Sequence, residues 1–156
     1  MTPLLVARAG LLGVVAGLRS ALPAAALAGS GLRPPGRWLS VLGSGGSRSA
    51  AYLAVAGELV ADKLPRTPSR TDRGPLIVRI ASGATAGAVL ASATGVRGSR
   101  LVLPVLAGAG GACLGSWGGF TARRAVGAAT GLPDPVVAVA EDVVAVGLAA
   151  VAVKDA

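Results

Sequence analysis

The sequence predicts an all-α, polytopic membrane helix bundle forming a single domain over residues 1–156. Three observations carry this prediction. Of 156 residues, 53% are hydrophobic and only 14% charged, with a mean hydropathy of +0.68, whereas a soluble domain carries about 25% charged residues. The apolar residues fall into about five runs separated by cation-bearing loops. Within the runs, small residues recur every four positions, the spacing that lets membrane helices approach closely. A soluble core of this size could not hide so much apolar surface, so the lipid bilayer is the expected surrounding.

The net charge of +8 would suggest nucleic acid in a soluble protein. Here the cations lie mostly between apolar runs, and aromatics make up 3% of residues, which provides no stacking platform. No nucleic acid is expected; the cations read as loop charges at lipid headgroups. One Cys and no His leave no intramolecular disulfide and no Cys/His zinc site. No metal, cofactor or catalytic residue is expected, and Cys113 reads as a small packing residue.

Residues 4–29 form the first expected span. The run is long enough to cross about 30 Å of hydrocarbon at about 1.5 Å per residue. A cleaved signal peptide is the rival reading, weakened by the length of the run and by Arg19 within it. Arg8 can snorkel to the interface. Ala9, Gly13 and Gly17 make a flat packing face, and a bend is expected at Pro23. Residues 30–49 read as a loop, with Trp38 in a short interfacial anchor and Gly43–Ser47 as a flexible linker. Residues 50–64 are a second helix whose uncharged part is short for a span. It either begins earlier or is a short, re-entrant helix, and Pro65 and Pro68 should end it.

Residues 75–96 are the third span, with Arg79 one turn inside and Gly83 and Gly87 as its small-residue pair. Residues 101–122 are the fourth, with Gly111, Gly115 and Gly119 as its stripe; helix can run on to about Ala129. Asp134 and Pro135 suit the start of the last span, residues 136–153. The Gly13–Arg19 segment compares with Gly115–Thr121, and each precedes a helix with a buried acid. With one span between the pairs, the two units would form an inverted repeat.

Glu58 and Asp62 are four residues apart and share a helical face. Asp62 and Lys63 sit at the expected membrane boundary, with Glu58 one turn deeper. A central charge costs about 2.5–3.5 kcal/mol on translocon scales, so Glu58 needs a partner or a wet cavity. Arg19, Arg79 and Arg124 are the candidates. Glu141 and Asp142 lie inside the last span and, about 100° apart on a helix, cannot face one partner. Such a pair could hand on protons, bind a cation, or pair with arginines such as Arg19 or Arg79. Arg66, Arg70, Thr71 and Arg73 offer donors to an anion or a lipid headgroup.

The motif Ala16-Gly17-Leu18-Arg19-Ser20 with Pro23 resembles the first-helix motif of a family of small bacterial integral membrane proteins, domain-of-unknown-function family 4126. Glu58, Asp62-Lys63, Pro65 and Pro68-Ser69-Arg70-Thr71 resemble its central motif. Arg79, Gly83-Ala84 and Gly87-Ala88 resemble its third. The resemblance covers roughly Gly10 to Val144. It implies a multi-pass protein of a bacterial cytoplasmic membrane and brings no established activity.

Two functional readings follow. In the first, a small transporter or channel-like protein, Glu58, Asp62, Glu141 and Asp142 line a polar interior. Arg19 and Arg79 are counter-charges there, for an ion or solute that remains unspecified. In the alternative, a structural or partner-binding membrane protein, the glycine stripes drive helix packing or a homo-oligomer, and the charges fix geometry. Neither is an enzyme. A lipid-phosphate enzyme would rest on the 65–73 loop alone, without a base, metal site or nucleophile.

Overall fold

The computed structural model describes residues 2–32, 45–61 and 72–154. These form six α-helices and, among the described residues, no strand. The helices are α1 (Pro3–Leu18), α2 (Leu22–Gly29), α3 (Gly45–Ala61), α4 (Arg73–Ala93), α5 (Val102–Thr130) and α6 (Asp134–Val153), with a 3-10 turn at Gly98–Leu101 before α5. Three stretches, Arg73–Ala93, Gly98–Thr130 and Asp134–Val153, are long and apolar enough to cross a membrane, while α1 is a shorter apolar helix. Their lipid-facing sides carry exposed Ile77, Leu106, Leu114, Trp117, Val143 and Val151. The chain is thus a helical membrane bundle.

Packing pairs give the helix directions. A side chain at Gly13 would strike the carbonyl of Gly108, and one at Gly17 would strike that of Ala112, so α1 and α5 run parallel. Gly83 meets Gly108 and Gly87 meets Pro104, so α4 runs the other way. Asp142 meets Arg19, while Ala152 joins the cluster of Leu5 and Leu12, so α6 also opposes α1. Taking α1 as rising, α4 descends, α5 rises and α6 descends.

The first apolar run departs from expectation. It is not one span bent at Pro23. The chain reverses at Arg19–Ala21, and α2 descends beside α4. The Ser20 carbonyl accepts a hydrogen bond from Ser82 Oγ at 2.6 Å, whereas Leu27 packs lower, in one cluster with Ala86 and Val89. Arg19 is extended (φ −141°, ψ 110°), and its N–H closes α1 on the Val15 carbonyl. Pro23 falls in the first turn of α2, where its missing N–H is no loss. The reversal lies inside the bundle. At about 1.5 Å per residue, α4 extends about 9 Å above Arg79, and α6 extends about 12 Å above Asp142. Among the described residues the α1–α2 hairpin is a re-entrant element, while residues 50–61 belong to α3, which begins earlier, at Gly45.

The other boundaries shift less. α3 begins at Gly45 and absorbs part of the Gly43–Ser47 segment read as linker. α5 continues to Thr130 and stops at Gly131, whose φ of 66° is the left-handed conformation glycine adopts without strain. The segments compared as an inverted repeat lie in α1 and α5, which run parallel. The extra reversal at Arg19–Ala21 changes the count of crossings between them.

α1 is the buried hub. Its Leu12, Val15 and Ala16 are fully buried, and it packs on α4, α5 and α6. The glycines set the spacing. A Cβ at Gly111 or Gly115 would collide with the backbone of α1 at Gly10 or Val14. Gly108 lies where α1, α4 and α5 cross, against Gly13 on one side and Gly83 on the other. Gly119 is half-buried and lines a groove between α5 and α6.

Candidate functional site

The reversal at Arg19–Ala21 exposes backbone polar groups inside a membrane bundle, where each unsatisfied group costs several kcal/mol. Side chains from three other helices satisfy them. Glu58 of α3 accepts hydrogen bonds from the Ser20 N–H on Oε1 (2.8 Å) and the Ala21 N–H on Oε2 (2.9 Å). This places a carboxylate at the N-terminus of α2, where the helix dipole favours negative charge. Arg79 of α4 donates through Nη1 to the Gly17 carbonyl at 2.8 Å, at the C-terminus of α1. Its Nη2 reaches Glu58 Oε1 at 3.3 Å. Arg79 therefore joins the end of one helix to the carboxylate at the start of the next. Ser116 Oγ of α5 also donates to the Gly17 carbonyl, at 3.3 Å.

The turn's own side chain is used as well. Arg19 is only 3% exposed and donates through Nε to Asp142 Oδ1 at 2.5 Å. That ties the hairpin to α6. At the lower end of α2, Arg48 of α3 donates to the Ala28 carbonyl at 3.0 Å. α3 thus brings an acid to the N-terminus of α2 and a cation to its C-terminus, both matched to the dipole. Burying these charges carries a desolvation penalty. Hydrogen bonds to charged groups, at about 1.5–3 kcal/mol each, and the relief of orphaned backbone groups offset it.

Glu141 and Asp142 diverge. Asp142 faces Arg19, whereas Glu141 Oε2 lies 3.7 Å from Arg123 Nη1. Arg123 also holds Asp134 in a bidentate fork along one guanidinium edge, Nε to Oδ1 at 2.7 Å and Nη2 to Oδ2 at 2.5 Å. Because Asp134 is 71% exposed, water screens its pair with Arg123, whereas the Glu141 side chain is 11% exposed. Asp134→Asn is therefore expected to lower stability by no more than about 1 kcal/mol in detergent unfolding, well below any change at Arg19 or Arg79.

Of the polar residues singled out in the sequence, the structure gathers Arg19, Glu58, Arg79 and Asp142 around one turn and sends Glu141 elsewhere. Arg124, another candidate partner for Glu58, instead stacks over the Phe120 ring at 5.5 Å. Arg73 is exposed at the first turn of α4. Asp62, Lys63, Arg66, Arg70 and Thr71 lie outside the described residues, as does Trp38. Sequence reasoning missed Ser20, Ser82 and Ser116. Their one signal was a hydroxyl within an apolar run, which only the reversal turns into a requirement.

These features define a polytopic α-helical membrane protein with a charge-held turn buried in its bundle. The chain belongs to the family described as Domain of unknown function (DUF4126), whose model matches residues 6–155. No curated protein matches the chain. No solved structure matches it.

Proposed function

We propose that this protein is a structural or partner-binding component of the membrane, whose intramembrane charges fix a re-entrant hairpin and do not form a conduit. The carrying observation is the separate use of the acids. Glu58 serves the Ser20 and Ala21 amides and Arg79, Asp142 serves Arg19, and Glu141 serves Arg123. Among the described residues each of these carboxylates is matched by a cation, and the Glu141–Arg123 pair stands apart from the turn that Glu58 and Asp142 serve. A bacterial cytoplasmic membrane is the proposed location, supported by the resemblance to small bacterial membrane proteins and by the long apolar helices, and the reading involves no catalytic step.

Charge exchange tests this. Arg19→Asp and Asp142→Arg should each destabilise the detergent-solubilised protein, and the double exchange should recover at least half of the loss. A structural pair depends on attraction, which survives reversal of its sign. No recovery in the double variant, together with proton or ion flux in proteoliposomes that each single change abolishes, would overturn the structural reading.

One observation favours transport as a second reading. Helix termini inside a membrane are where broken-helix transporters bind ions and anionic groups, and here a carboxylate occupies that position. In this reading Glu58 stands in for a ligand anion and leaves the turn during a cycle. Glu58→Gln should then abolish flux of a small ion or solute in proteoliposomes while the protein remains folded.

A further inference from the structure

The up-and-down order of the helices separates the charges in a way the linear sequence conceals. Every described carboxylate, Glu58, Asp72, Asp134, Glu141 and Asp142, lies in the upper part of the bundle, at or above the hairpin turn. Asp72 precedes α4, and Asp134 opens α6. The lower end carries Arg8 on α1, Arg97 and Arg100 around the 3-10 turn, and Lys154 after α6.

A groove of about 320 Å³ opens at this end between the start of α1 and the end of α4. Thr2, Arg8, Thr94 and the apolar Leu4, Leu90 and Val96 line it. The Thr94 hydroxyl donates to the Ala91 carbonyl at 2.9 Å, and Thr2 Oγ1 accepts from the Leu5 N–H at 3.4 Å. Thr2 therefore keeps its O–H to donate, while the Thr94 oxygen keeps only acceptor capacity. A cation and one free hydroxyl donor beside apolar walls, at the level where the long helices end, match a headgroup above an acyl chain.

We propose that this groove binds the phosphate of an anionic phospholipid, with Arg8 as the principal contact and Arg97 and Arg100 adding to the local field. Basic pockets between membrane helices hold anionic headgroups in this way. Each cation near the surface contributes about a fivefold change in lipid affinity. The site stands at the opposite end from Arg73 at the start of α4 and is independent of whether the hairpin is structural or mobile.

The test is lipid selectivity of the whole protein in nanodiscs of phosphatidylcholine mixed with phosphatidylglycerol, read by native mass spectrometry of retained lipids. Wild type should retain phosphatidylglycerol over phosphatidylcholine. Arg8→Gln should lower that preference about fivefold, and Arg97→Gln with Arg100→Gln should lower it too. The latter pair lies on an exposed turn and leaves the packed helices intact. Arg124→Gln at the upper end should leave it unchanged. Equal retention of the two lipids by wild type would overturn the proposal. So would an unaltered preference in Arg8→Gln, or an equal loss in Arg124→Gln. Displacement of phosphatidylglycerol by inorganic phosphate would assign the groove to a soluble anion instead.

Discussion

Arg79→Leu is expected to lower stability by about 3–5 kcal/mol, the range for removing one partner of a buried ion pair. Two losses combine. The Gly17 carbonyl, at the end of α1, loses its 2.8 Å donor, and Glu58 loses the cation 3.3 Å away. The remaining carboxylate keeps the Ser20 and Ala21 amides, but it then sits as an uncompensated charge in the bundle. Arg79→Lys should fall between wild type and Arg79→Leu, since an ammonium presents a point charge and cannot fork to both acceptors. Unfolding in mixed detergent micelles measures the difference. A loss below 1 kcal/mol for Arg79→Leu would mean that the turn is held by packing alone.

The second large effect is expected at the glycine crossing. Gly108→Ala places a Cβ against the Gly83 carbonyl. A backbone oxygen cannot swing aside as a side chain does, so relief requires α4 and α5 to separate. Overpacking ordinarily costs about 1–3 kcal/mol, and this change should reach the top of that range. Gly110→Ala, two residues away with nothing within 4 Å of the new methyl, should be neutral or gain up to about 1 kcal/mol from better helix propensity. The two variants differ by position on one helix and share their chemistry. Equal stabilities in thermal melts of the purified protein would refute the packing assignment.

Much of the bundle was legible in the sequence because hydropathy and four-residue glycine spacing record lipid exposure and close packing directly. The spans of α4, α5 and α6 follow from them. The reversal at Arg19–Ala21 was not legible. Gly, Ala and Leu continue on both sides of it, so hydropathy does not change, and Pro23 points to a bend two residues late. The candidate site was half visible. Arg19, Glu58, Arg79 and Asp142 stand out as charges in apolar runs. Their pairing depends on which helices lie beside the turn, and those contacts span up to 123 residues of chain. Ser82 and Ser116 were invisible for the same reason. Their hydroxyls become necessary only when a broken backbone arrives next to them.

The buried turn also sets an order of events during biosynthesis. α1 has 16 residues, about 24 Å of helix, and cannot reach across a hydrocarbon core of about 30 Å. As the chain leaves the ribosome, Arg19 emerges 123 residues before Asp142. The groups that satisfy Gly17 and Ser20 arrive with α4 and α5. α1, made before its partners, is therefore among the last helices to settle, waiting at the insertion machinery or the membrane surface until α6 is synthesised. Nascent chains halted before Asp142 lack the carboxylate that ties Arg19 to α6 in the finished bundle.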